Sequence, residues 1–250
     1  MGRPMDYDET ASTYASTRWA LPWIIVPLSN ELTARNSTGV VLDIGCGTGD
    51  YLVALARLHA ACTFIGFDRS ERMAEVARTR CPRATILTGN ADKSFPLSDA
   101  TTDVMVCVNV LHHLTNYGRF LYEVRRVGRP GSVLLVATDS RDDIVGRSLA
   151  RLFPETIAVN LARYPVIDDL VRVARAEGLS LVGMSEASGE IEFDDRFIAT
   201  IEQRGISELR LISDEAHAEG LSRALDSRAR GERWLSRTTV LRFDARPRRE

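Results

Sequence analysis

The residues with the clearest capacity for chemistry form a glycine-rich turn at the end of an apolar strand. Val40 to Ile44 are the predicted strand, and Asp43 is an acid just before the first glycine. Gly45, Gly47 and Gly49 lack a Cβ atom, so the backbone can turn sharply there and come close to a ligand. The segment therefore predicts a nucleotide-like cofactor site in which the ligand contacts backbone.

Three details separate this turn from one that binds a dinucleotide. Its spacing is Gly-x-Gly-x-Gly rather than Gly-x-Gly-x-x-Gly, and Asp50 follows where a pyrophosphate would be repelled. Asp43 stands where it can hold a cationic group. The pattern favours a ligand with a positive amino group, and the alternative is a plain tight turn of an α/β protein.

Residues 41–49 read Val-Leu-Asp-Ile-Gly-Cys-Gly-Thr-Gly, which closely resembles motif I of the class I S-adenosylmethionine-dependent methyltransferases. The resemblance implies a doubly wound, Rossmann-like α/β fold: a seven-stranded, mostly parallel sheet with an antiparallel last strand. It also implies S-adenosylmethionine as cofactor and S-adenosylhomocysteine as product. The residues of this motif that it assigns to the cofactor are Asp43, Gly45, Cys46, Gly47 and Gly49.

The second predicted strand ends in an acid. Asp68 closes the apolar segment that starts at Phe64 and lies 19 residues after Gly49, which leaves room for a helix and a return strand. In the family this acid binds the ribose hydroxyls, and the neighbouring Arg69 and Met73 are assigned to the same site. The alternative is an acid that favours the N-terminus of the helix predicted from Ser70.

A third strand, Ala84 to Thr88, leads into the loop Gly89-Asn90-Ala91-Asp92. This loop resembles the one that meets the adenine amino group in the family, which assigns Asn90, Ala91 and Asp92 to the cofactor. The alternative for Asp92 is a solvated turn residue, because Asn, Gly and Asp are ordinary turn formers.

A fourth strand, Asp103 to Asn109, is almost continuously apolar and reads as a central parallel strand. Its end, residues 109–114, resembles motif IV of the small-molecule branch of the family, where the methyl group faces the substrate. Asn109 and Val110 are thereby assigned to the cofactor. The Asn/Asp-Pro-Pro-aromatic signature of nucleic-acid base methylation is absent, so that activity is less expected.

Three residues are the candidates for a catalytic base. His112 and His113 follow the fourth strand and Asp139 follows the fifth, so neighbouring strands would bring them to the same edge of the sheet. A base is optional, since the methyl group of the cofactor is already electrophilic and positioning alone can promote transfer. The alternative is that one histidine caps or packs under the next helix.

Residues 6–35 precede the first strand and resemble the N-terminal lid of small-molecule methyltransferases. The resemblance places Tyr14 and Arg18 over the methionine end of the cofactor, with Arg18 paired to its carboxylate. The alternative for Tyr14 is an amphipathic helix that packs its aromatic side chains on the core.

The sequence predicts one domain over residues 1–250, with a cofactor-binding core at 40–140. A helix at 117–127 precedes a strand at 133–138, and the insertion at 140–165 follows that strand, on the substrate side of the fold. A second helical insertion, about 190–235, separates the strands predicted at 179–184 and 238–243. It is predicted to be a cap or a homodimer contact, and the sequence leaves both open.

Composition narrows the class of protein. The chain has 250 residues, 44% of them hydrophobic, and a net charge of −2, which lacks the cationic field of a duplex-binding protein. Its four cysteines are widely separated, so neither a metal site nor a disulfide framework is indicated. The early apolar stretch is interrupted by Pro22 and Pro27. We expect no membrane span, no nucleic-acid partner and a cytoplasmic enzyme.

These observations predict a methyltransferase that acts on O, N or C of a small molecule, with the acceptor left open. One alternative is an RNA or protein methyltransferase, which would share the cofactor half. The other is a non-methylating relative, a cyclase or a regulatory module that only binds the cofactor.

Overall fold

The computed structural model describes residues 19–245. The predicted contacts of Tyr14 and Arg18, and most of the lid segment, lie outside these residues. Seven strands form one sheet in the order β3-β2-β1-β4-β5-β7-β6. The strands are β1 (Gly39–Ile44), β2 (Cys62–Asp68), β3 (Ala84–Thr88), β4 (Thr102–Val108), β5 (Gly128–Thr138), β6 (Leu179–Glu192) and β7 (Arg233–Ala245).

Ten α-helices connect or flank these strands in the described part of the chain. They are α1 (Pro22–Ala34), α2 (Asp50–Leu58), α3 (Glu71–Arg80), α4 (Tyr117–Val127), α5 (Arg141–Gly146), α6 (Ser148–Leu152), α7 (Glu155–Arg163), α8 (Ile167–Ala176), α9 (Asp195–Glu202) and α10 (Asp214–Ala229). Short 3-10 turns cover Leu111–His113 and Ser207–Arg210.

Strands β1 to β5 pair in parallel, and β7 pairs antiparallel with both β5 and β6. Helices cover both faces of the parallel part, so its central strands are apolar on both sides. In β4, Val104 and Val106 pack with α1, α2 and α3, while Met105 and Cys107 pack with α4 and α8. The predicted seven-stranded Rossmann-like fold is confirmed.

The strand order reverses between β1 and β4, which lie side by side although β2 and β3 come between them in sequence. Ligands of doubly wound sheets bind in the crevice outside the carboxyl ends of the strands at such a point. The glycine turn after β1, the acid at the end of β2 and the loops after β3 and β4 all meet at this edge.

Three strands extend beyond their predicted limits. β5 begins at Gly128 rather than at 133, β6 continues to Glu192, and β7 begins at Arg233. The β6–β7 pair remains in register from Leu179 opposite Ala245 to Glu192 opposite Arg233, apart from one irregularity between Leu181 and Gly183. The helical excursion between them therefore covers 193–232 rather than 190–235, because this ladder pairs backbone that the apolar pattern alone does not reveal.

The two insertions pack against each other beyond the carboxyl edge of the sheet. We call helices α5, α6, α7, α9 and α10 the outer helices. Residues of α6, α7, α9 and α10 form a separate apolar cluster with the far end of the β6–β7 ladder. Within it Phe153, Phe197 and Trp234 are buried. In residues 19–245 no helix is both long and apolar enough to cross a membrane.

Candidate active site

The glycine turn adopts the backbone conformation for which its sequence is suited. Gly45, Gly47 and Gly49 have φ values of 70°, 54° and 81°, in the left-handed region that residues with a Cβ atom avoid. The N–H groups of Gly45 and Cys46 donate to the Phe67 carbonyl at 2.9 and 3.0 Å. A Cβ atom on Gly45 would lie 2.6 Å from Cγ2 of Val110. The turn is thus fixed against β2 and leaves no space for a side chain at its first glycine.

Asp68 connects the end of β2 to this turn. One carboxylate oxygen accepts the Gly47 N–H and the other accepts the Ser70 N–H, both at 2.9 Å. Burial raises the pKa of Asp68, and these backbone donors oppose the rise. A carboxylate has about four lone-pair sites, so acceptor capacity remains for ligand hydroxyls. The cap of α3 is Ser70, whose Oγ accepts the Met73 N–H at 3.1 Å, so Asp68 is not needed for that role.

A first cleft opens at the carboxyl ends of β1 to β4. Its volume, counted with its open mouth, is about 660 Å³. Predicted cofactor residues line most of it: Gly45, Gly47, Asp68, Arg69, Met73, Asn90, Ala91, Asp92, Asn109 and Val110. His113 also lines it, with four residues the sequence did not single out: Phe67, Gly89, Val108 and Leu114. Each of the four is adjacent in sequence to a predicted residue. This adjacency is the feature of the sequence that could have identified them.

Asp43, Cys46 and Gly49 do not line the first cleft, in contrast to the prediction. Asp43 is 3% exposed, because strand alternation directs it to the Val41 side of β1, below the turn. The Cys46 sulfur packs toward Gly66 of β2, where a Cβ atom would lie 3.0 Å from it. Gly49 precedes α2 as its N-cap. These three residues therefore lie below or beside the turn, away from the first cleft.

The burial of Asp43 raises its pKa to about 7, with the charges of Asp68 and Asp50 adding to the effect. A carboxyl whose folded pKa lies above its unfolded value binds more protons in the folded state, so stability falls as pH rises through that interval. Asp43→Asn lacks the titrating carboxyl and should not show this loss. The free energy of unfolding of the variant minus that of the wild type should therefore increase between about pH 4 and pH 7 and stay constant above pH 7.

Urea unfolding at several pH values measures this dependence. The exposed Asp226→Asn is the control and should show no such trend. A constant difference between Asp43→Asn and the wild type across the range would contradict the assignment.

A variant of the glycine turn tests how closely it is packed. Gly45→Ala should lower stability by about 1–2 kcal/mol through its left-handed φ, and should also weaken cofactor binding by at least about tenfold as Val110 is displaced. Gly131→Ala is the matched control, because Gly131 has a φ of 78° and a Cβ atom there would meet nothing within 4 Å. Thermal melts and calorimetric titration with S-adenosylhomocysteine would measure both effects. Equal affinity in the two variants would show that Val110 does not shape the cleft.

Asp92 is half-buried and contacts both the first cleft and the following helix. It lines the first cleft, and its Oδ1 accepts the N–H groups of Thr115 and Asn116 at 2.8 and 3.3 Å. The loop after β3 is thereby tied to the start of α4. One carboxylate thus orders this loop and faces the cleft.

A second, larger cleft lies between the carboxyl edge of the sheet and the outer helices. It contains all three predicted base candidates, His112, His113 and Asp139. The residues that line it are Trp19, Leu21, Asp50, Tyr51, Asn109, His112, His113, Asp139, Arg147, Leu149, Tyr164, Ile191, Phe197, Thr200, Ile206, Ser207, Glu208, Trp234, Ser236 and Thr238. Asn109 and His113 line both clefts, so the two meet at the end of β4.

The backbone at this junction is unusual. Asn109 has a φ of 55°, a left-handed conformation that asparagine tolerates better than most residues. Its N–H donates to the Ala137 carbonyl at 2.9 Å, which continues the β4–β5 pairing by one residue. Beyond it the His113 ring lies 4.0 Å from the ring of His112, and His112 stacks on Tyr164 at 4.4 Å. The histidines are thus held at the edge where the clefts join.

Asp139, one of the three base candidates, is engaged by a cation. Its carboxylate forms a short ion pair with Arg147, whose other amino group lies 3.2 Å from Glu208. Tyr164 and Thr238 also donate to Asp139. Burial raises the pKa of Asp139 while Arg147 opposes the rise. The sequence did not identify Arg147 or Glu208, because 61 residues separate them and no local pattern joins them.

Two further histidines, to which the sequence assigned no role, have hydrogen-bond partners. Both ring nitrogens of His59 lie within 2.8 Å of the serine hydroxyls of Ser29 and Ser37. His217 Nε2 lies 2.9 Å from the Ile201 carbonyl. Neither histidine lines either cleft. Within residues 19–245 no three His, Cys, Asp or Glu side chains form a group that could hold a metal ion.

Comparison with known proteins finds that part of the chain is similar to methyltransferases. Residues 42–136 match the family described as "Methyltransferase domain". A Mycolicibacterium smegmatis protein named "Probable S-adenosylmethionine-dependent methyltransferase" is 34% identical over 160 residues, covering 62% of this chain and 59% of that protein. The demethylmenaquinone methyltransferase of Tropheryma whipplei is 36% identical over 126 residues, covering 49% and 51%. The matches thus span less than two thirds of either relative.

Solved structures show the same fold at lower identity. The structure of SpnF, a 4+2 cyclase, superposes with a TM-score of 0.60 at 19% identity, covering 96% of this chain and 93% of that chain. The matched domain at residues 42–136, the sheet order and the glycine turn together support a class I S-adenosylmethionine-dependent methyltransferase.

Proposed function

We propose that this protein transfers a methyl group from S-adenosylmethionine, bound in the first cleft, to a small molecule bound in the second. The observation that carries the proposal is the meeting of the two clefts at Asn109 and His113. Methyl transfer needs donor and acceptor in line and close together, which two joined sites provide by positioning.

The first cleft suits the chemical groups of this cofactor. The Gly45 turn offers close backbone contact, which a Cβ atom would prevent. Asp68 would hold the ribose hydroxyls with the lone pairs that Gly47 and Ser70 leave available, and the 90–92 loop would face the adenine. When bound, S-adenosylmethionine supplies an electrophilic sulfonium methyl group.

The second cleft would position the acceptor. Its aromatic and aliphatic side chains exclude water from the acceptor atom, which strengthens attack on the methyl carbon. His113 lines both clefts, and one of its imidazole nitrogens would take the proton that the acceptor releases. Asp139 would act through its ion pair with Arg147 to fix the wall of the cleft.

The outer helices supply much of the second cleft, including Thr200 and Phe197 of α9. This favours a cap role for the 190–235 insertion over a homodimer contact. An acceptor site between these helices and the sheet also suits a small molecule better than RNA or a folded protein. The name of the Tropheryma whipplei relative, a demethylmenaquinone methyltransferase, agrees with a small-molecule acceptor.

A transfer assay distinguishes the proposal from its alternatives. The protein would be incubated with S-adenosylmethionine labelled in the methyl group, together with either the small-molecule fraction or the RNA and protein fractions of a bacterial extract. We expect label in the small-molecule fraction with release of S-adenosylhomocysteine. Label in RNA or protein would support the macromolecular alternative, and cofactor binding without any transfer would support the non-methylating one.

A further inference from the structure

Tyr164 lies between the second cleft and a third cavity, and its side chain connects two groups of the candidate active site. We propose that Tyr164 is a positioning residue, whose ring holds the two histidines at the junction of the clefts so that His113 faces both. This inference rests on the proposed function and adds the group that orients its base. The geometry that carries it is a series of contacts from Asp139 through Tyr164 and His112 to His113.

The local sequence fixes the backbone of Tyr164 on both sides. Its N–H donates to the Asn160 carbonyl at 2.9 Å, which closes the last turn of α7. Pro165 follows, and a residue before proline is restricted to extended backbone, which agrees with the ψ of 144° at Tyr164. The residue is 9% exposed, so its side chain enters the protein from a backbone with little freedom.

The hydroxyl group of Tyr164 anchors one end of the ring. It donates to the carboxylate of Asp139, which also forms the ion pair with Arg147. Burial raises the pKa of Tyr164 well above its usual value, and the charges of Asp139 and Glu208 add to the rise. The hydroxyl therefore stays protonated near neutral pH and remains a donor to Asp139.

The face of the Tyr164 ring packs on His112. The two ring centroids are 4.4 Å apart with 28° between the planes, and the His112 ring lies 4.0 Å from the ring of His113. Both histidines belong to the 3-10 turn at Leu111–His113, in which the His113 N–H donates to the Val110 carbonyl at 2.8 Å. The turn fixes the backbone of the pair, and packing of the three rings restricts the orientation of both imidazoles.

The same ring separates the histidines from the third cavity. This cavity has a volume of about 680 Å³, counted with its open mouth, and lies between α5 and the start of α8. Tyr164 and Asp139 line both this cavity and the second cleft. A small side chain at position 164 would join the two spaces and admit water beside the imidazoles. The ring thus also protects the place where the acceptor would release its proton.

Two substitutions at position 164 separate the ring from the hydroxyl. Tyr164→Phe keeps the ring and its stacking on His112, whereas Tyr164→Leu removes the ring and the hydroxyl together. Tyr122→Leu is the matched control, because Tyr122 lies on α4 and is 49% exposed. Melting temperatures would verify that all three variants are folded.

The imidazole signals in nuclear magnetic resonance spectra measure the orientation of the histidines. The chain has four histidines, so each signal can be assigned by one substitution. Protons above an aromatic face are shielded, so the His112 ring protons of the wild type and of Tyr164→Phe should lie upfield of their position in urea-unfolded protein. In Tyr164→Leu they should move downfield, and the His113 signals should shift as well. Tyr122→Leu should leave all four histidines unchanged.

The transfer assay gives a second measurement. With the small-molecule fraction of a bacterial extract as the source of acceptor, Tyr164→Leu should transfer label about tenfold or more slowly than the wild type. Tyr164→Phe should stay within about threefold, since it retains the ring. Tyr164 does not line the first cleft, so the affinity for S-adenosylhomocysteine should be the same in the wild type and in every variant.

An unshielded His112 in the wild type, or histidine signals that do not change in Tyr164→Leu, would overturn the inference. Transfer by Tyr164→Leu at the wild-type rate would overturn it as well. Equal losses in Tyr164→Phe and Tyr164→Leu would assign the effect to the hydroxyl and contradict the role of the ring. Absence of transfer by the wild type would count against the proposed function, whereas the histidine signals would still decide whether Tyr164 orients the pair.

Discussion

Asp68→Ala should weaken binding of S-adenosylhomocysteine by about 100-fold or more. The wild-type carboxylate would accept two ribose hydroxyls, and a hydrogen bond to a charged group contributes about 1.5–3 kcal/mol. Since each 1.4 kcal/mol is about a tenfold change in affinity, two such bonds account for roughly two orders of magnitude. The substitution also removes the acceptor of the Gly47 N–H and thereby loosens the turn.

Calorimetric titration of both proteins with S-adenosylhomocysteine measures this effect. Asp226→Ala, on the exposed side of α10, is the control for loss of one carboxylate and should bind as the wild type does. Asp68→Asn separates the two contributions, since its amide oxygen can still accept one N–H while the charge is lost. An affinity for Asp68→Ala within a few-fold of the wild type would refute the assignment of this acid to the ribose.

Arg147→Ala should lower the free energy of unfolding at pH 8 by roughly 3–5 kcal/mol, the usual cost of removing one partner from a buried ion pair. The loss arises less from the missing attraction than from Asp139, whose carboxylate would remain buried without its ion-pair partner. Urea unfolding followed by circular dichroism measures the change. Arg172→Ala, whose side chain is 73% exposed and pairs with Asp169, should change stability by less than about 1 kcal/mol.

The pH dependence of Arg147→Ala gives a second measurement. Burial already raises the pKa of Asp139, and without the Arg147 guanidinium that pKa would rise further above its unfolded value near 4. Such a group binds extra protons in the folded state, so the variant loses stability as pH rises, and its deficit should be smaller at pH 5 than at pH 8. The combined Asp139→Asn, Arg147→Met and Glu208→Gln variant should recover much of the stability while losing the charge of the cleft. A pH-independent deficit would show that packing, not charge, explains the effect.

Much of the cofactor half could be predicted because its residues lie in short, continuous motifs. The glycine turn follows an apolar strand, and helix 117–127 was found where its apolar spacing predicted it, with Phe120 and Val124 fully buried. Asp43 shows the limit of this approach. The motif assigned it to the cofactor, whereas the alternation of β1 buries it below the turn.

The sequence by itself determined the order of strands and helices, the glycine turn and the acid that ends β2, because hydrophobic period and backbone freedom are local properties. The tertiary structure alone decided that the two clefts meet at His113 and that Arg147 lies between Asp139 and Glu208. It also decided that Asp139 receives the hydroxyl of Thr238, 99 residues away. Such contacts depend on how the outer helices and the β6–β7 ladder pack together, and packing between distant segments follows from complementary shape and charge rather than from any repeat along the chain.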